Sequence, residues 1–242
     1  MIGDTLLSDT VRVYVWEWPV RVCHWLIAGS IAILSLSGLY IANPSLMTTG
    51  LATQRSLMGL FKLVHYSTAI VFGIAVAARL YWMFAGNIYA RWDKFVPARK
   101  KRWKAVVPTL KYYTFRMRKP PGFVGHNPLA GLTYTFVFVI YLIMIGTGLA
   151  IYSISAHVDS PLRWFQFLVP IFGGASTARW LHHGFMWMLI GFALHHVYSA
   201  VLMSQVEANA TVESIFSGYK FVPREDLVYS GYRFVDRKDT HG

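Results

Sequence analysis

The chain has 242 residues, of which 55 % are hydrophobic and 14 % charged, and its formal net charge is +12. This small number of charged side chains cannot cover a water-facing surface. The composition therefore excludes an ordinary soluble protein and indicates a membrane protein. The single cysteine, Cys23, excludes an internal disulfide, a thiolate-ligated iron–sulfur cluster and a haem attached through a C-x-x-C-H motif.

The N-terminal segment lacks the basic start of a cleavable signal peptide. Within its first twelve residues, Asp4 and Asp9 are acidic and Arg12 is the only base. The first apolar run is therefore predicted to be retained as a membrane span.

Four apolar runs are long enough to cross a bilayer as helices, which takes about 20 mostly apolar residues. They extend over residues 24–42, 61–84, 128–154 and 181–203. The predicted fold class is all-α: one integral membrane domain over residues 1–242, built as a four-helix bundle. A basic loop at about 85–127 and a tail at about 204–242 complete it, and the tail is predicted to be partly disordered from Gly218 onward.

Basic residues are concentrated on one side of the predicted bundle. Eleven lysines and arginines lie between Arg91 and Lys119, whereas the connections at 43–60 and 155–180 hold three arginines in all. Lysine and arginine mark the cytoplasmic side, so this loop and both termini are predicted to be cytoplasmic. A basic run beside a membrane indicates contact with lipid; no recognition motif for nucleic acid accompanies it.

Histidines are the notable polar residues of these spans, at positions His24, His65, His182, His183, His195 and His196. Ionisable side chains are costly inside a membrane and are functional candidates there, although a lone histidine is also satisfied by interfacial water or helix backbone. Helical residues 14 positions apart lie about 40° apart around the axis and about 21 Å apart along it. His182 and His196 are therefore the pair of the fourth span that shares one face.

Alternating topology gives each of these two histidines a partner at its own depth. His24 begins the first span near the inner surface, level with His196, and His65 lies near the outer surface, level with His182. Two neutral imidazoles facing each other in a bundle suit the two axial positions of a haem iron, so two haems with a role in electron transfer are predicted. Zinc is disfavoured because it needs more ligands.

Two residues lie 14 positions beyond these candidate ligands on the first two spans. Gly38 is predicted to let a haem macrocycle approach the backbone, or else to allow close helix packing. Arg79 is predicted to pair with a haem propionate, or else to extend its side chain to the inner surface.

Several segments carry a family resemblance: VWEWPVRVCHWL, KLVHYS, ARLYWMFAGNIYARW, GHNPLAG, and LHHGFMW followed by HHVY. Together they resemble the b-type cytochrome subunit of membrane-bound NiFe hydrogenases over nearly the whole chain. The resemblance implies a di-haem subunit of the bacterial inner membrane that anchors the small and large subunits of a periplasmic hydrogenase. It further implies that electrons pass from the small subunit's iron–sulfur centres through two b haems to the quinone pool.

The ligand positions of that family's motif match His24, His65, His182 and His196, whereas His183 and His195 are additional. Similar di-haem subunits place a quinone site near the GHNP motif at residues 125–128, which offers His126 and Asn127 as partners for quinone oxygens. Asn127 and Pro128 also match the cap and first position of a helix, and the two roles are compatible.

Other functions remain open on the sequence. The gamma subunit of formate dehydrogenases shares the histidine pattern, and a standalone di-haem quinone oxidoreductase with a soluble donor such as superoxide would use the same chemistry. A transporter or proton channel lined by histidines is an alternative of a different class. In the hydrogenase interpretation the chain is an electron-transfer subunit of a hydrogen:quinone oxidoreductase, with no catalytic residue that splits hydrogen.

Overall fold

The computed structural model describes residues 10–44, 52–96, 100–114, 116–118 and 122–229. Its regular elements, in chain order, are β1 (Thr10–Tyr14), α1 (Trp18–Ala42), α2 (Ala52–Ala85), α3 (Lys100–Tyr113), α4 (Pro128–Ser155), α5 (Leu168–Ile171), α6 (Ala175–Glu207), α7 (Thr211–Ser217), β2 (Tyr219–Pro223) and α8 (Arg224–Tyr229). Two short 3₁₀ helices, Trp92–Lys94 and Pro161–Phe167, lie in the connections.

Helices α1, α2, α4 and α6 are long and apolar enough to cross a membrane. Each contains one of the four predicted spans, so the all-α class and the four-helix bundle are confirmed. The helices are longer than the apolar runs: α6, for example, begins at Ala175 rather than at 181. Polar residues such as Thr177 and Arg179 end an apolar run without ending a helix, because helix propensity does not depend on hydrophobicity.

The chain divides into two compact units. The span unit comprises Val22–Leu80 and Phe136–His196, and the terminal unit comprises Met1–Arg21, Tyr81–Thr135 and Val197–Gly242. The candidate haem ligands all belong to the span unit, and the GHNP motif belongs to the terminal unit.

The core of the span unit draws on all four long helices. Its buried residues are Ile27 from α1, Phe72, Ala75 and Val76 from α2, Val137, Ile140 and Tyr141 from α4, and Leu189 from α6. Large apolar side chains also point outward, among them Leu36 and Leu194, which are 70 % and 71 % exposed. An apolar outer surface on helices of this length is what a lipid environment requires.

The terminal unit joins the segments before α1 and after α6. Strand β1 pairs antiparallel with β2, with Tyr14 opposite Tyr219. The N–H groups of Val15 and Trp16 donate to the Gly218 carbonyl at 2.8 and 3.1 Å. Gly218 has φ +88°, and a Cβ there would lie 2.7 Å from the Trp16 carbonyl oxygen, so this junction requires glycine.

Of the tail that was predicted to be partly disordered, residues 219–229 form β2 and α8. Strand β2 is ordered because its backbone groups are satisfied by β1, a partner that no local sequence signal reveals. Residues 230–242 lie outside the described residues.

Hydrogen bonds of Glu17 and Arg102 hold parts of the basic loop of the terminal unit. The Glu17 carboxylate accepts hydrogen bonds from the Trp82 indole and the Asn87 backbone N–H at 2.8 and 2.7 Å. Arg102 is buried, and its Nη2 donates to the carbonyls of Lys94 and His126 at 2.7 and 3.0 Å. The loop is therefore held in a defined path on both sides of α3.

Candidate functional site

Four histidines of the span unit lie together as two pairs. The ring centroids of His24 on α1 and His196 on α6 are 6.2 Å apart, with the planes inclined at 55°. Those of His65 on α2 and His182 on α6 are 6.5 Å apart, inclined at 59°. The structure thus brings together the same partners that depth in the membrane assigned from the sequence.

Both separations leave room for one metal ion between two imidazole rings. An imidazole nitrogen binds a transition metal at about 2 Å, with the ring centroid roughly 1 Å behind it, so two rings on opposite sides of one ion have centroids about 6 Å apart. Within the described residues no cluster of three or more His, Cys, Asp or Glu side chains could hold a metal ion. Two protein donors suit haem iron, whose porphyrin supplies the other ligands, and do not suit a zinc site.

Hydroxyl groups contact the Nδ1 atoms of His65 and His182. The Nδ1 of His65 lies 2.9 Å from Ser37 Oγ on α1, and the Nδ1 of His182 lies 2.9 Å from Thr147 Oγ1 on α4. Both contacts leave Nε2 as the nitrogen that is not engaged by a hydroxyl.

Glycines stand beside these same two rings. A Cβ at Gly38 would lie 3.2 Å from Cε1 of His65, and one at Gly148 would lie 3.4 Å from Cε1 of His182. Gly38 was predicted to give a macrocycle access to the backbone, and the structure shows that it makes room for the imidazole of His65. The haem contact of Gly38 stays a prediction.

The pair formed by His24 and His196 has different surroundings. The Nδ1 of His24 is buried and has no hydrogen-bond partner among the described residues. The His196 ring stacks on Phe192, with centroids 5.5 Å apart. Among the described residues, therefore, no protein group fixes the Nδ1 of His24 in the way that Ser37 and Thr147 contact the Nδ1 of His65 and His182.

The second members of the two doublets point elsewhere. His183 engages the carbonyl oxygen of Arg179, one turn earlier on α6, through its Nδ1 at 2.8 Å. His195 is exposed. The two pairs of histidines between helices that are described above use His182 and His196 of α6.

Arg79 is 6 % exposed and lies inside the span unit instead of reaching its surface. A buried guanidinium is stabilised by a nearby anion, and a propionate of a bound haem would supply that charge. The burial of Arg79 thus suits a haem site.

The GHNP motif shows the predicted helix cap. Asn127 Oδ1 accepts the Ala130 N–H at 2.8 Å at the start of α4, and its Nδ2 donates to the Tyr113 hydroxyl at 2.7 Å. The His126 ring packs against three aromatic rings at 4.7 to 5.1 Å, those of Trp16, Phe95 and Tyr134. A quinone contact of His126 or Asn127 stays a prediction.

Sequence reasoning missed Ser37, Thr147 and Gly148. The signal was present as the dipeptides Ser-Gly at 37–38 and Thr-Gly at 147–148, each in the middle of an apolar run. A hydroxyl next to a glycine supplies a polar contact and the space for a bulky ring to reach it.

Comparisons with known proteins give one consistent result. The sequence model of the family described as prokaryotic cytochrome b561 matches residues 15–218. Proteins from Cupriavidus necator and Rhizobium leguminosarum bv. viciae, both named "Probable Ni/Fe-hydrogenase B-type cytochrome subunit", are 34 % and 35 % identical, over 86 % and 93 % of this chain and 86 % and 99 % of their own length. The "Probable Ni/Fe-hydrogenase 1 B-type cytochrome subunit" of Escherichia coli is 32 % identical over 88 % of this chain and 92 % of its own.

Proposed function

The chain belongs to the prokaryotic cytochrome b561 family, and on that premise we propose that it is the di-haem b-type cytochrome of a membrane-bound NiFe hydrogenase. It anchors the periplasmic small and large subunits to the bacterial inner membrane. It carries electrons from the iron–sulfur centres of the small subunit to the quinone pool. The names of its relatives favour this partner over a formate dehydrogenase or a soluble donor.

The observation that carries the proposal is the pair of imidazole couples in the span unit, with centroids 6.2 and 6.5 Å apart. His65 and His182 hold one haem b, and His24 and His196 hold the other. Each haem, when bound, would supply a one-electron iron couple, held by the two imidazoles of its pair. Arg79 stabilises a haem propionate by charge and hydrogen bonding.

The distribution of basic residues supports an orientation for the proposed function. With the basic loop and both termini in the cytoplasm, His65 and His182 lie toward the periplasm, and His24 and His196 lie toward the cytoplasm. The chain then carries negative charge inward, which is worth about 2.3 kcal/mol per electron per 100 mV. His126 and Asn127 are the candidate partners of the quinone, which takes its protons from the cytoplasmic side.

Purification in mild detergent tests the haem assignment. The wild-type protein should carry two haem b by pyridine haemochrome analysis and elute with an iron–sulfur partner. His196→Ala should carry one haem, and the matched control His183→Ala, one of the additional histidines of α6, should keep both. A colourless wild-type protein would contradict the proposal, as would full haem content in His196→Ala.

The direction of charge movement has a separate test. Proteoliposomes that contain the whole complex, supplied with hydrogen outside and quinone in the membrane, should develop a potential that is negative on the inside. Sustained quinone reduction without any change in potential would exclude vectorial transfer and leave the haem assignment standing.

A further inference from the structure

Two hydroxyl side chains stand in matching positions beside the histidines His65 and His182. Ser37 Oγ lies 2.9 Å from Nδ1 of His65, and Thr147 Oγ1 lies 2.9 Å from Nδ1 of His182. Each hydroxyl also lies within hydrogen-bond distance of the carbonyl one turn earlier in its own helix, Ile33 at 2.7 Å and Ile143 at 2.8 Å. The two arrangements are built on different helices, α1 and α4, with the same chemistry.

The direction of these hydrogen bonds follows from counting hydrogens. A hydroxyl has one hydrogen to donate and two lone pairs that accept. If Nδ1 had no hydrogen, the single hydroxyl hydrogen could serve either the imidazole or the carbonyl of Ile33 or Ile143, but not both. Both contacts are hydrogen bonds when the hydroxyl donates to the carbonyl and accepts from Nδ1, so this arrangement places the hydrogen of the neutral ring on Nδ1.

Neutral imidazole has one N–H, so with the hydrogen on Nδ1 the lone pair is on Nε2. In both rings of this pair, Nε2 is therefore the atom whose lone pair can bind a metal ion.

From these contacts we propose that Ser37 and Thr147 are positioning residues, which fix the tautomer and the orientation of His65 and His182 so that both Nε2 atoms are presented to one iron. This rests on the haem ligation given under the proposed function. Gly38 and Gly148 contribute to the same arrangement, because each leaves space for the imidazole to reach the neighbouring hydroxyl.

The other histidine pair lacks this support on one side, since the Nδ1 of His24 has no hydrogen-bond partner among the described residues. An imidazole whose N–H is hydrogen-bonded to an acceptor is a stronger electron donor, and it stabilises the oxidised iron. The haem of His65 and His182 should therefore respond to loss of either hydroxyl, and the haem of His24 and His196 should not.

Redox titration of the purified complex tests this with four variants. Ser37→Ala and Thr147→Val remove the hydroxyls, whereas the conservative variants Ser37→Thr and Thr147→Ser keep a hydroxyl at each position. In the first two, one of the two haem midpoint potentials should shift to more positive values, with altered low-spin electron paramagnetic resonance signals from the same haem. The other haem should keep its wild-type potential, and the conservative variants should keep both properties of wild type. Loss of that one haem, restored by the conservative variants, would support the same role.

A matched control separates positioning from general helix stability. Ser153 of α4 is also fully buried and donates to a backbone carbonyl, that of Ala150 at 2.8 Å, and its hydroxyl has no hydrogen bond to a histidine among the described residues. Ser153→Ala should leave both potentials unchanged. Wild-type potentials and spectra in Ser37→Ala and Thr147→Val, or an equal shift in Ser153→Ala, would overturn the inference. A wild-type protein without haem would instead overturn the proposed function.

Discussion

Gly38 is the residue at which a single methyl group should matter most for the candidate site. A Cβ there would lie 3.2 Å from Cε1 of His65, so the ring would have to move. In Gly38→Ala we expect the stability of the haem-loaded protein to fall by about 1–3 kcal/mol, the usual cost of overpacking. Thermal unfolding followed by Soret absorbance would measure it.

Gly29, also on α1, is the matched control, because a Cβ at this position would meet nothing within 4 Å. Gly29→Ala should stabilise the helix slightly, by up to about 1 kcal/mol, since alanine loses less backbone entropy. Equal unfolding temperatures for the two variants would show that the His65 ring does not depend on the glycine.

At the same scale, the sequence predicted the four candidate ligands but not the side chains that orient them. The histidines were visible because an imidazole in an apolar span has few ordinary explanations. Ser37 and Thr147 were not, because any serine or threonine in a helix can bond the carbonyl one turn earlier, and both do so here. Only the three-dimensional contact with a histidine distinguishes them.

Helix α4 begins at a cap whose side chain has two separable contacts. Asn127 Oδ1 accepts the Ala130 N–H, and its Nδ2 donates to Tyr113. Asn127→Asp keeps the acceptor and should stay within a few tenths of a kcal/mol of wild-type stability, whereas Asn127→Ala should lose about 0.5–2 kcal/mol. Chemical unfolding of both variants in detergent checks this difference.

Asn127→Asp also tests the proposed contact with quinone. If Asn127 contacts the quinone through its amide, Asn127→Asp should raise the KM for quinone while stability and haem content remain those of wild type. An unchanged KM in Asn127→Asp would leave the residue as a helix cap alone.

At the scale of elements, hydropathy located the four long helices and misjudged what lies between and after them. An apolar run of membrane length has few alternatives to a helix, because backbone groups must be satisfied within the segment. Strands β1 and β2 are five residues each and come from opposite ends of the chain. Their pairing depends on long-range contacts, so the sequence did not predict it, and the tail was predicted to be partly disordered.

For the whole molecule, stability should vary with pH through a buried lysine of the terminal unit. Burial lowers the pKa of Lys220 to about 8, against the opposing effect of the Glu207 carboxylate. In the unfolded chain a lysine keeps its proton up to about pH 10.4. Between these values the unfolded state binds more protons, so stability should rise as the pH increases from 8 toward 10.

Unfolding temperatures measured between pH 7.5 and 9.5 would check this dependence. Lys220→Met should remove the rise. Burial and the nearby Glu207 raise the pKa of Tyr112 and Tyr113, so these tyrosines act in the opposite sense. Their effect belongs to the top of this pH interval and above, because an unfolded tyrosine loses its proton only near pH 10. A wild-type protein whose stability falls across this interval would contradict the assignment.

Both histidine pairs take their second member from α6, the last of the four long helices, and β2 follows later still. A ribosome makes the chain in order, so neither pair exists until nearly the entire polypeptide has been synthesised and inserted. If these pairs hold haem as proposed above, both ligands of either haem are available only after α6 has been made. A product that stops short of residue 182 would contain neither complete pair.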